Sequence, residues 1–290
     1  METGVGFAIT AAFVWGVYIY LLKREFTGYP PAALVVTINL FALAWYLPVL
    51  VTQTDFSGST LGEFGLTQLG GVAVTAGMTA AALVLFLRAL KTGDVSYVTP
   101  INKTVPMFVL PMEIVLLSEI LTPIQVAGVV VTTFAVYVAN YEGNGLFQPI
   151  RKAAHSRPAQ LALVSAVCFA VGDLGKRVSL QELAIQETLW VPLLIGAITL
   201  FLLPSAVRNP PSGVRDDLPK FVVAGLLVAL GEHLTTVAFA VLPASLASPI
   251  INTQAIVAVI LGGLLLSEGR FRTRLIAAVL AVTGVTLIAL

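Results

Sequence analysis

Five ionisable side chains interrupt stretches that are otherwise apolar: Lys103, Glu113, Asp173, and the adjacent Glu232 and His233. An ionised group at the centre of a membrane helix costs about 2.5–3.5 kcal/mol on insertion scales, so each needs a compensating role. A lysine there offers an ammonium to an anionic ligand, whereas a buried carboxyl takes a cation or relays a proton. Neutral polar residues stand beside them: Asn102 and Thr104 next to Lys103, and Asn252, Thr253 and Gln254 near the end of the chain. Each has a plainer alternative. Lys103 can snorkel along its apolar stem, Glu113 can reach the interface, and a lone histidine such as His233 is often a packing residue.

The elements that hold these groups are ten apolar runs, at roughly 5–22, 31–51, 67–87, 96–117, 123–140, 160–177, 184–204, 220–240, 245–266 and 273–290. About 20 residues suffice for a transmembrane helix. Composition agrees, with 58% of the 290 residues hydrophobic, 11% charged and a mean hydropathy of +0.95. The connections are too short for a soluble domain. The fold class expected is all-α integral membrane, a multi-pass protein of the cell membrane. Met1 to Gly4 lacks a basic leader and no cleavage pattern precedes Lys23, so the first run reads as a retained span.

The chain repeats itself. Leu116-Leu117-Ser118-Glu119 returns as Leu265-Leu266-Ser267-Glu268, a shift of 149 residues that also sets Ala89 on Ala238, Ser96 on Ser245, Pro100 on Pro249, Ile101 on Ile250 and Thr104 on Thr253. A second shift, of 154, sets Ala8, Ala12 and Val17 on Ala162, Ala166 and Val171, and Lys23 on Arg177. The expected domains are therefore two five-span repeats, 1–145 and 155–290. An odd span count places them in opposite orientations, and inverted repeats are a transporter signature.

Helix geometry brings the polar residues to common depths. At about 1.5 Å per residue, Lys103 lies some 10 Å into the fourth span, level with Tyr18 on the first, where Trp15 also belongs to the wall. Asp173, Glu232 and Asn252 share a level near the midplane. Pro100, Pro106 and Pro111 interrupt the fourth span; Pro106 frees the carbonyl of Asn102, and Pro249 frees that of Ser245. Broken backbone inside a membrane is tolerated where it lines a cavity. The substrate-binding set expected from the residues is Trp15, Tyr18, Asn102, Lys103, Asp173, Glu232, His233, Asn252 and Gln254.

Charge bias gives an orientation. Thirteen of the 16 basic residues fall on the odd-numbered connections, and Lys176 and Arg177 alone on the even ones. Positive residues mark the cytoplasmic side, which places both termini outside. The net charge of +1 and the lack of a basic patch interleaved with aromatics exclude nucleic acid as a partner. With one cysteine, Cys168, and no P-loop, HExxH or GxSxG, the sequence predicts no cofactor, no metal and no enzyme. A membrane-embedded enzyme using the intramembrane acids and His233 is the alternative, and a sensor or scaffold a third reading. Oligomeric state is not encoded in any feature of the sequence.

The pattern resembles the EamA-like branch of the drug/metabolite transporter superfamily. The likeness rests on Trp15-Gly16, the run from Ala89-Leu90 through Ser96 to Pro100, Ser118-Glu119 before Gly128, and the second copies Ala238, Ser245, Pro249, Ser267-Glu268 and Gly284. It implies a secondary carrier for small organic solutes, with a central cavity walled by spans 1, 3, 4, 6, 8 and 9. Asn39 and the acidic Asp55 and Glu63 stand where members often have basic residues. Lys103 also resembles the fourth-span lysine of the superfamily's sugar-phosphate translocators, whose ninth-span basic pair is replaced here by Asn252, Thr253 and Gln254. That implies a zwitterion or weakly charged metabolite rather than a phosphate ester. Asp173 and Glu232, as intramembrane acids, are the candidates for proton coupling.

Overall fold

The computed structural model describes residues 2–54, 65–105, 107–109, 111–112, 122–140, 155–242, 244–267 and 269–289. Glu113, Glu119, Glu268, Pro106, Asp55 and Glu63 lie outside these, so the expectations attached to them do too. Among the described residues the chain is helical, without strands. The first repeat comprises α1 (Glu2–Glu25), α2 (Pro31–Gln53), α3 (Leu66–Thr92), α4 (Val95–Asn102) and α5 (Pro123–Asn140). The second comprises α6 (Arg157–Arg177), continued by a π-helical turn Val178–Glu182, then α7 (Glu187–Arg208), α8 (Leu218–Val241), α9 (Ala244–Asn252), α10 (Gln254–Leu265) and α11 (Phe271–Ala289). Among the described residues six helices are long and apolar enough to cross a membrane: α1, α2, α3, α6 with its π turn, α7 and α8.

Local sequence sets the helix ends. Proline occupies the first turn of α2, α6 and α8, where its missing N–H costs no intrahelical bond. Gly93 closes α3, its N–H bonding Ala89 O at 2.9 Å. The interior is rich in buried alanine, including Ala8, Ala11, Ala76, Ala80, Ala162 and Ala166, while Phe13, Leu200, Phe201 and Val207 are exposed. Small residues let helices approach closely, and the large apolar side chains face outward as a lipid-facing surface requires. Gly16 shows the tolerance: a Cβ there would overlap the side chain of Val257.

Packing follows the duplication. The helices that pack along their length are α1 with α8 and, as their repeat copies, α6 with α3; likewise α2 with α8 and α7 with α3. Two pairs join a helix to its own copy, α2 with α7 and α5 with α11. By contrast α1 meets α3, and α6 meets α8, only marginally. The molecule is thus a wall built on α1 and α8 facing a wall built on α3 and α6.

The expected fourth and ninth spans are each broken. The fourth leaves α4 at Asn102 and turns through 103–105; the ninth breaks at Thr253 between α9 and α10. The same bonds form both breaks. Thr104 Oγ1 donates to Ile101 O at 2.8 Å and Thr253 Oγ1 to Ile250 O at 2.7 Å, while Met107 N bonds Thr104 O and Ile256 N bonds Thr253 O, both at 2.9 Å. In the second repeat the break stands at Thr253, four residues beyond Pro249.

Candidate functional site

Between the two walls lies a cavity of about 130 Å³, and since one water needs roughly 10–15 Å³, it has room for a small organic molecule. All four wall helices line it, and so do α2 through Val35 and Asn39 and α7 through Ile195 and Ile198. The last two helices extend the expected wall. Seven expected residues meet in it: Trp15, Tyr18, Lys103, Asp173, Glu232, Asn252 and Gln254.

Lys103 stands at the C-cap of α4, where its N–H bonds Thr99 O at 2.9 Å, so the break itself aims the side chain. Its Nζ lies 5.0 Å from the Phe169 ring centroid and 5.6 Å from that of Phe86. Ring faces stabilise a cation, yet they leave its three donors for a ligand. Among the described residues Lys103 has no carboxylate within ion-pair distance.

A second lysine is engaged. Lys176 Nζ bonds Glu232 Oε2 at 3.0 Å, with side chains only 8% and 14% exposed. Breaking such a pair is costly because it strands a buried charge. Asp173, one helical turn before Lys176, accepts a 3.5 Å bond from Ser248 Oγ. Ser248 also receives a 3.2 Å bond from Asn252 Nδ2, which bonds Ser248 O at 2.8 Å as well. Across the cavity Trp15 Nε1 donates to Thr235 Oγ1 at 3.0 Å, and its ring meets that of Tyr18 edge-on at 5.5 Å. Gly231 accommodates that indole, since a Cβ would strike it.

Two expected residues are elsewhere. Asn102 faces α6, donating to Ala162 O at 3.3 Å and Ser165 Oγ at 2.9 Å, and is fully buried outside the cavity. His233 turns to α2, where Nδ1 lies 3.0 Å from the hydroxyl of Tyr46. Packing against α6 and α2 turns Asn102 and His233 away from the chamber that their neighbours Lys103 and Glu232 line. Lys176, expected in a connection, is the opposite case: α6 continues past it and it lines the cavity. The hydropathy run ended beside it, which hid it, although its spacing of three from Asp173 puts both on one helix face. Phe169, four residues before Asp173, was legible by the same rule.

Outside the spans, the end of α1 and the following loop are tied to the start of α8. Lys220 Nζ bridges Glu25 Oε2 at 2.9 Å and Asp217 Oδ1 at 2.8 Å, and Tyr29 donates to Asp217 Oδ2 at 2.7 Å. Bonds from Lys220 and Tyr29 hold the Asp217 carboxyl below its usual range, while burial and then that bond push the Tyr29 hydroxyl up to about 12.

The family model for EamA-like transporters matches residues 2–141 and 157–290, one match for each repeat. The chain belongs to the EamA-like transporter family. It is therefore a multi-pass membrane transporter of small solutes, consistent with the drug/metabolite transporter superfamily. In the comparison with solved structures, 28 chains match. One crystal structure matches this transporter with a TM-score of 0.68 at 15% identity, covering 99% of this chain and 96% of its own. No match was found among the curated proteins.

Proposed function

We propose that the transporter is a secondary-active carrier of the cell membrane, with ten spans in two inverted five-span repeats. It moves an amino acid or related small metabolite by alternating access. The observation that carries this reading is the Lys103 ammonium, aimed into the cavity by a helix break and held over two aromatic rings with no acid paired to it among the described residues. A substrate carboxylate supplies the missing anion. Asp173, which among the described residues carries only a long bond from Ser248, is left for the ammonium end or for a proton.

Thermal-shift screening against a metabolite panel identifies the ligand, and counterflow in proteoliposomes tests transport. Lys103→Gln should weaken carboxylate-bearing ligands by about 10- to 100-fold, the range of a charged hydrogen bond, while Lys103→Arg keeps part of the affinity. Unchanged binding by Lys103→Gln would remove the lysine from the site. Proton coupling is assigned to Asp173, because Lys176 already occupies Glu232. Asp173→Asn should then lose uptake driven by a pH gradient yet retain exchange; full gradient-driven uptake would exclude it.

The charge bias of the helix ends and connections supports both termini outside. A reporter active only in the cytoplasm, fused after Leu290, should stay silent.

A further inference from the structure

The two walls are tied to each other at both ends of the cavity by side chains that grip repeat-equivalent carbonyls. At one end Lys23 Nζ donates to Leu90 O at 2.7 Å and to Gly93 O at 2.9 Å, joining the end of α1 to the end of α3. At the other, Gln181 Nε2 donates to Phe239 O at 2.9 Å and to Leu242 O at 3.4 Å, joining the turn after α6 to the end of α8. Adding the repeat shift of 149 turns Leu90 into Phe239 and Gly93 into Leu242. The caps correspond too, since Gly93 N bonds Ala89 O and Leu242 N bonds Ala238 O, each at 2.9 Å.

The gripping residues are not copies of each other. By the shift of 154, Lys23 corresponds to Arg177, and Gln181 lies four residues farther on. It follows α6 through the π turn, where Leu183 N bonds Val178 O at 2.9 Å. A π turn inside a helix frequently marks a functional site. The same contact has thus been reached by two different residues, which a mere relic of duplication would not require.

Position gives the contact its meaning. Helices α1 and α3 belong to opposite walls and barely touch, as do α6 and α8. Lys23 and Leu90 stand just beyond Leu22 and Leu87 of the cavity lining, at one mouth; Gln181 and Leu242 stand beyond Lys176 and Phe239, at the other. The last carbonyls of a helix lack intrahelical partners and carry its negative dipole end, so each grip satisfies groups that either wall alone leaves unpaired. The bonds of Lys220 with Glu25 and of Tyr29 with Asp217 instead link α1 and its loop to α8, within one wall.

We infer that Lys23 and Gln181 are two latches, one for each mouth, and that alternating access opens them in turn. With both made, as here, the two walls are tied at both ends of the cavity. At the Gln181 mouth the Lys176–Glu232 pair adds a second tie between α6 and α8 deeper in. The inference rests on the carrier reading above, but its test needs no substrate, so failure here leaves ligand binding at Lys103 standing.

The test uses proteoliposomes of the full chain with Cys168→Ala, a tag after Leu290 to score sidedness, and a membrane-impermeant maleimide. Leu87→Cys reports the Lys23 mouth and Phe239→Cys the Gln181 mouth. Lys23→Met should raise labelling of Leu87→Cys about tenfold and Gln181→Leu that of Phe239→Cys about threefold, as expected for a charged and a neutral donor. Each gain should come from the side of its own mouth. Where either variant fails to fold, Lys23→Gln, too short to reach the carbonyls, or Gln181→Glu, without the donor, replaces it. Labelling that does not change, or that rises at both mouths together, overturns the latches.

Discussion

The two halves of the cavity occupy equivalent positions and do different chemistry. On α1 and α3, Ile19, Leu22 and Leu83 line it; their repeat copies on α6 and α8 are Asp173, Lys176 and Glu232. At the broken helices the order reverses, with Lys103 in the first repeat and Asn252 in the second. Between them the backbone is shared, down to the hydroxyl bonds of Thr104 and Thr253. Duplication therefore placed the side chains, and divergence at four positions left Lys103 in one half of the cavity and Asp173, Lys176 and Glu232 in the other.

The largest effect comes from making the second half resemble the first. Lys176→Leu removes the partner of Glu232 and leaves its carboxylate stranded in the wall, which should cost about 3 kcal/mol of stability in a detergent melt. Adding Glu232→Leu, so that both positions match Leu22 and Leu83, should restore most of it. A double variant as unstable as the single would mean the pair is not what the wall needs.

The smaller effect tests the shared part. Thr104→Val and Thr253→Val each delete one hydroxyl bond to the carbonyl three residues back, and each should lose about 1 kcal/mol. Near-equal losses are expected, because the two breaks are built alike. A loss confined to Thr104→Val would mean that the first break has a support the second lacks, and the comparison would have to be redrawn around it.

Much of the architecture was legible in the residues. Apolar runs of the right length announce helices in lipid, and the shift of 149 announces a repeat, since both signals are local and survive without knowledge of packing. The interruption of the fourth span was foreseeable from its prolines. Its counterpart at Thr253, four residues beyond Pro249, was not marked by any proline and became visible only in the structure.

Facing was harder. Depth along a helix follows from counting, and it brought Asp173, Glu232 and Asn252 to one level. Rotation about the helix axis depends on which neighbours pack where, and it sent Asn102 to α6 and His233 to Tyr46. It also turned Lys176, at the edge of its apolar run, into the cavity toward Glu232. The sequence by itself determined the class, the duplication and the level of the charges. The tertiary structure decided which of them meet, because a contact between helices 56 residues apart in the chain is set by how two walls pack and not by any pattern within either.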